Sequence, residues 1–141
     1  MFVAKRSAAQ AYAQIGVETG VAAASPHKLI VMLFDGAMLA ISNAGLHMQR
    51  KEIADKGRAI SNAIDIISCG LKASLDKKSG GELAQNLDSL YDYMCTRLIH
   101  ANRHNDKQAL DEVTRLLGEI KSAWEQIAED PAVRGANQVA A

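Results

Sequence analysis

Histidines, cysteines and carboxylates are the side chains of this sequence that could support catalysis or bind a metal. His100 and His104 lie one helical turn apart, a spacing that can present two imidazoles to one ion. No third ligand is clearly placed on the same face, and histidines near a helix C-terminus also suit its dipole and last carbonyls. We therefore expect no metal ion and no cofactor.

Other recognisable catalytic arrangements are missing from the 141-residue sequence. A di-iron helical bundle needs Glu-x-x-His pairs, and none occurs. A phosphotransfer bundle needs an exposed histidine in mid-helix, whereas His27 and His47 fall at the start and near the end of one predicted helix. No serine nucleophile elbow or glycine-rich phosphate loop is present. The sequence predicts a protein that is not an enzyme.

Charge and cysteine content limit the compartment and the partners. The 16 basic residues balance the 16 acidic residues, so no net charge attracts nucleic acid or an anionic membrane. Cys69 and Cys95 stand singly and are expected to be reduced. No long apolar segment follows Arg6 to form a signal peptide, and no apolar run approaches the length of a membrane span. We expect a cytoplasmic protein with no nucleic-acid binding and no direct membrane insertion.

Hydrophobic periodicity predicts an all-α chain with four helices after residue 24. They cover about residues 26–48, 52–75 and 82–104, with a fourth that follows a cap at Asn105 or Asp106 and extends to Ile127. Ser25 is a good N-cap and Pro26 suits the first helical position. Because the predicted breaks are short, neighbouring helices should run antiparallel in an up-down four-helix bundle.

The first 24 residues do not share this periodicity. They are alanine-rich and are interrupted by Gly16 and Gly20, so a helix there would be too short to be stable alone. The predicted organisation is a flexible, partly ordered N-terminal arm at 1–24, the bundle at 25–128 and a disordered tail at 129–141.

Each predicted helix carries one apolar stripe suited to the bundle seam, and further apolar residues fall beside it. Bundle helices that bury two sides against two neighbours account for some of this excess. The remainder predicts a groove for an apolar partner segment. The bundle residues predicted to contact that partner are Met38, Ile66, Tyr91, Cys95, Ile99 and Leu116.

Several segments of the sequence, in order and without large gaps from about residue 8 to Ile127, resemble the FliS family of flagellin-specific export chaperones. The individual motifs are short, but their combined order and spacing are highly specific. The matching segments are Ala11-Tyr12-Ala13-Gln14, Ala24-Ser25-Pro26-His27-Lys28-Leu29-Ile30, Met32-Leu33-Phe34-Asp35-Gly36-Ala37, Gly80-Gly81-Glu82, Asn86-Leu87 and Leu90-Tyr91-Asp92-Tyr93-Met94.

The resemblance implies a small cytosolic chaperone of type III flagellar export. Proteins of this kind bind the disordered C-terminal segment of flagellin, prevent its premature polymerisation and deliver it to the export gate protein FlhA. They are not enzymes and use no nucleotide or metal. The resemblance also places the family's arm tyrosine, which is linked to substrate and gate interactions, at Tyr12.

One departure from the family concerns the arm. Three positions before Tyr12 the family often has a larger aliphatic residue, whereas this chain has Ala9. Tyr12 and Ile15 are therefore the predicted arm contacts.

A general helical scaffold or anti-aggregation chaperone for other flagellar or regulatory proteins is the alternative function. This alternative differs from the flagellin chaperone in its partner but not in its mode of binding. The exposed apolar rows also allow a monomer or a weak homodimer when the protein has no partner bound.

Overall fold

The computed structural model describes residues 25–127, and this region is helical throughout apart from its short connections. Helix α1 spans Pro26–Gln49 and α2 spans Ile53–Asp65. The chain continues from α2 directly into a π-helical segment, Ile66–Lys72. Helix α3 spans Lys77–His104 and α4 spans Lys107–Ile127. The predicted arm and tail lie outside the described residues.

The helix ends follow the local chemistry of the sequence. The Ser25 hydroxyl accepts a 3.1 Å hydrogen bond from the Lys28 amide, and Pro26 occupies the first turn, as predicted. At the start of α4 the Asp106 carboxylate accepts from the amides of Gln108 (3.0 Å) and Ala109 (3.3 Å). Both caps depend on residues within one turn, so the sequence predicts Ser25 and limits the α4 cap to Asn105 or Asp106, of which the structure has Asp106.

The helices pack as a bundle, so the predicted all-α bundle is confirmed. Helix α1 packs against α2, the π-helical segment and α4, and α3 packs against the same three elements from the other side. The core lies between them. Its largest fully buried side chains are Leu33, Phe34, Ile41, Ile60, Ile66, Ile67, Met94, Leu98, Leu110, Val113 and Leu117.

Helix α1 also has the length and composition of a membrane span. It has 24 residues, and its most apolar 18-residue window has a mean hydropathy of 1.8. A core helix of a soluble protein meets the same criteria. Eight residues of α1 are buried in the structure.

The second helix was predicted as one regular helix, but in the structure it changes from an α-helix to a π-helix at Ile66. Hydrogen bonds in a π-helix join residues five apart, so each turn is wider than in an α-helix. Five of the seven residues in the π-helical segment are buried. At its end Ser74 closes the segment, with its amide (3.1 Å) and hydroxyl (2.6 Å) both donating to the Gly70 carbonyl.

The connection before α3 also differs from the sequence prediction, which places a break between two helices at residues 76–81. A helical turn begins at Lys77, capped by the Asp76 carboxylate, which accepts from the Ser79 amide at 3.1 Å. The helix then kinks at Gly81, whose φ of 54° and ψ of −135° suit glycine and strain other residues. Gly80 allows close packing, since a Cβ there would lie 2.6 Å from the Ala84 Cβ.

Candidate functional site

An open apolar groove of about 410 Å³ lies at one end of the bundle. The start of α1, the end of the π-helical segment, the start of α3 and the end of α4 meet there. Ten lining residues are apolar or glycine, and four of them come from α3. The apolar lining is Ile30, Phe34, Leu71, Leu75, Gly80, Leu83, Ala84, Leu87, Ile120 and Trp124. The polar lining is Ser74, Asp76, Ser79 and Tyr91.

The rim of the groove carries a large apolar side chain that faces solvent. Leu83 is 66% exposed, while Ala84 beside it is buried. Isolated exposed leucines are ordinary, but this one adjoins a concave apolar surface. The groove therefore offers a place where an apolar segment of another chain could be buried.

Charged pairs hold the helices around the groove. Lys121 Nζ of α4 lies 2.7 Å from Asp35 Oδ1 of α1. The pKa of Lys121 is raised mainly by this hydrogen bond. Lys72 at the end of the π-helical segment lies 2.6 Å from Asp92 of α3, which likewise raises the pKa of Lys72. Both pairs join elements that form the groove walls.

The predicted partner contacts occupy several different environments. Tyr91 lines the groove and is itself buried. Ile66, the first residue of the π-helical segment, is fully buried in the core. Met38, Cys95 and Leu116 are half-buried against the core, and Ile99 is 51% exposed away from the groove. Tyr12 and Ile15 lie outside the described residues.

Apart from Tyr91, the large apolar residues that line the groove belong to the stripes that the sequence assigns to the bundle seams. Seam residues such as Phe34, Leu71 and Leu87 share their stripes with core residues further along each helix. At this end of the bundle the stripes reach the groove instead of a facing helix. The glycine pair Gly80-Gly81 was the sequence signal that this end is irregular.

The two cysteines form no disulfide bond, as expected. Burial is the main cause that raises the pKa of the Cys95 thiol to about 11. A thiol with such a pKa is protonated at neutral pH and is a poor nucleophile. Cys95 therefore serves as a packing residue of α3.

The histidines considered above as metal ligands take part in the turn between α3 and α4. The rings of His100 and His104 contact each other with centroids 4.5 Å apart and planes tilted by 39°. His100 Nε2 lies 3.2 Å from the Asp106 carboxylate, whose other oxygen caps α4. These contacts account for the pair without an ion.

A second group with metal-ligating atoms lies at the turn between α1 and α2. One ligand atom from each of His47, Glu52 and Asp55 falls within 4.8 Å of the others. His47 Nδ1 lies 2.8 Å from the Glu52 carboxylate, and Asp55 pairs with Arg58. The adjoining hollow is also lined by Lys56. Nearby cations disfavour a metal, and the existing pairs explain the cluster as a stabilised turn.

His27 lies in the first turn of α1 and is buried against Trp124 of α4. The ring centroids are 4.6 Å apart, and Trp124 Nε1 donates a 3.1 Å hydrogen bond to the His27 carbonyl oxygen. Within residues 25–127 neither ring nitrogen of His27 has a hydrogen-bond partner. Burial lowers the pKa of His27, because the protonated ring would lose its hydration there. This burial also argues against a phosphotransfer role for His27, which requires an accessible imidazole.

We expect the protein to lose stability as the pH falls below the usual histidine pKa of 6.5. Over that interval the unfolded chain binds a proton at His27 more readily than the folded chain, so acid favours unfolding. The loss ends once His27 is also protonated in the folded state. Urea unfolding at several pH values measures this effect, and Trp124, the sole tryptophan, reports it by fluorescence.

The matched control for this titration is His27→Phe, which keeps an aromatic ring against Trp124. Its unfolding midpoint should fall less between about pH 7.5 and 5 than that of the unsubstituted protein. The remaining histidines and carboxylates titrate in both proteins, so the difference belongs to residue 27. An equal fall in the two proteins would refute the assignment.

Known proteins are similar to this chain over most of its length. The family profile described as "Flagellar protein FliS" matches residues 8–131. The flagellar secretion chaperone FliS of Salmonella typhimurium is 54% identical over 121 residues, covering 86% of this chain and 90% of the relative. The corresponding Escherichia coli protein is 47% identical over 94% of this chain and 96% of the relative. Flagellar secretion chaperone FliS of Bacillus subtilis is 32% identical, with 82% of each chain covered. The chain belongs to the FliS family of flagellar secretion chaperones, a family of proteins that are not enzymes.

Proposed function

We propose that this protein binds the disordered C-terminal segment of flagellin, prevents its premature polymerisation and delivers it to the export gate protein FlhA. The observation that carries this proposal is the open apolar groove with Leu83 at its rim. A disordered segment with an apolar face can fold as a helix into such a groove. The proposal further places the protein in the cytoplasm, where newly made flagellin is available.

Coupled folding suits a chaperone that must also release its client. Ordering the segment offsets about 2 to 5 kcal/mol or more of the contact free energy, so a large contact area need not give an irreversible complex. The predicted arm at 1–24 adjoins the N-terminus of α1 at Ser25, and α1 supplies one wall of the groove. We propose that Tyr12 and Ile15 on this arm contact the client or the gate, with the arm displaced when the client binds.

The expected result of placing a charge at the groove rim is a large loss of affinity. Leu83→Asp would put a carboxylate against the apolar segment, and an unpaired charge is costly to bury. We expect at least about a tenfold weaker complex with a synthetic peptide of the flagellin C-terminal segment. Titration calorimetry measures the affinity, and circular dichroism measures the gain of helix on binding.

The matched control is Ile53→Asp, because Ile53 is 74% exposed and lies at the start of α2, away from the groove. Both variants replace an exposed apolar side chain, so both should fold as the unsubstituted protein does. The control should keep its affinity for the peptide. If the unsubstituted protein gives no saturable heat, or if the two variants bind alike, the proposed site is wrong. Competition by other flagellar proteins distinguishes a flagellin chaperone from a general scaffold.

A further inference from the structure

The groove contains a small set of polar side chains, and most of them are hydrogen-bonded within the chain. The Ser74 hydroxyl donates to the Gly70 carbonyl at 2.6 Å. The Asp76 carboxylate accepts from both the amide and the hydroxyl of Ser79. The Trp124 indole donates to a main-chain carbonyl of α1. These groups are satisfied before any partner arrives.

Tyr91 differs from these groups. Its side chain lines the groove and is 3% exposed. Among residues 25–127 its hydroxyl has no hydrogen-bond partner, and burial alone raises the pKa of Tyr91 to about 12. The nearby Tyr93 shows the usual arrangement, with its hydroxyl donating to Glu112. The Tyr91 hydroxyl is not among the fully buried, unpaired polar atoms of residues 25–127, so it opens onto the groove and is available to bond with an incoming group.

We propose that the Tyr91 hydroxyl donates a hydrogen bond to an acceptor oxygen of the segment bound in the groove. This inference rests on the proposed function, and it assigns to one atom the task of fixing how the segment sits. Apolar contact is non-directional, so a helix could slide along the groove with little change in buried area. A single directional hydrogen bond in an apolar pocket sets the position of the ligand. Tyr91 is thus a specificity-determining residue of the groove.

The test compares two variants that each remove one hydroxyl and keep the ring. Tyr91→Phe should leave the urea midpoint of the free protein unchanged or raise it, because no hydrogen bond within the described chain is lost. Its affinity for the flagellin C-terminal peptide should fall about 3- to 10-fold. Tyr93→Phe should instead keep its affinity, since Tyr93 bonds to Glu112 on the outer face of α3 and α4.

A second measurement reads the hydrogen bond itself. In the complex of the unsubstituted protein, NMR should show a Tyr91 hydroxyl proton protected from exchange with water, and the free protein should not. Equal affinity of Tyr91→Phe and the unsubstituted protein would overturn this inference while leaving the proposed groove intact. Absence of peptide binding by the unsubstituted protein would overturn both. A weaker Tyr91→Phe complex with an unchanged Tyr93→Phe complex supports it.

Discussion

Replacing Leu98 by alanine is expected to lower the free energy of unfolding by about 2 to 5 kcal/mol. Leu98 lies on α3 with no exposed surface and belongs to the central core between the helices. Its truncation removes buried apolar contacts and leaves a cavity that the surrounding helices fill only in part. Urea unfolding followed by circular dichroism measures the change as a lower midpoint with a similar slope.

The neighbouring residue provides the control for this substitution. Ile99 is 51% exposed, so Ile99→Ala should change the stability by about 0.5 kcal/mol or less. The two variants remove side chains of similar size from adjacent positions of one helix. If both destabilised the protein equally, the orientation of α3 in the bundle would be wrong. Because Ile99 is also a partner contact predicted from the sequence, a stable Ile99→Ala variant can be assayed directly for binding.

The second large effect is expected at Lys56, a buried cation of α2. Its side chain is 4% exposed, and its ammonium donates to the Asn102 carbonyl (2.9 Å) and to the Asn105 side chain (2.6 Å). Asn105 ends α3 in the left-handed conformation, with a φ of 51°. A cation at this helix end also meets the negative end of the helix dipole. Lys56 therefore ties α2 to the turn between α3 and α4.

Lys56→Met keeps most of the apolar stem and removes the ammonium. We expect a loss of about 2 kcal/mol in unfolding free energy, because hydrogen bonds from a charged donor are lost and their acceptors stay behind. Arg58→Met on the same helix removes an exposed cation paired with Asp55, and should cost about 0.5 kcal/mol or less. Equal urea midpoints for Lys56→Met and the unsubstituted protein would show that dehydrating the ammonium cancels its hydrogen bonds.

Hydrophobic periodicity predicted the helix face shared by Tyr91, Cys95 and Ile99, but not how buried each of them is. The three residues are four apart and share one face of α3, as predicted. In the structure they range from buried through half-buried to exposed. Spacing determines which side chains share a face, but neighbouring elements determine how much of that face is covered. Those elements change along α3, from the π-helical segment to α2, so one row contains three environments.

Hydrophobic periodicity also could not predict which residues line the groove. Ile30, Leu87 and Trp124 belong to regular apolar stripes, and nothing in their spacing separates them from core residues on the same stripes. Their partial exposure arises where four chain segments meet at one end of the bundle. The kink at Gly81 and the change to π-helical geometry after Asp65 both shape that end.

The sequence by itself determined the helical class, the cap at Ser25 and a cap for α4 at Asn105 or Asp106, of which the structure has Asp106. It also determined the charged outer face of α4, where Lys107 pairs with Asp111 and Arg115 with Glu119. Each depends on residues within about one turn, so local spacing is enough. Only the tertiary structure decided that Ile66 is core, that Tyr91 lines a groove and that His27 is buried on Trp124. These depend on contacts between residues far apart in the chain, since burial is a property of the space between helices.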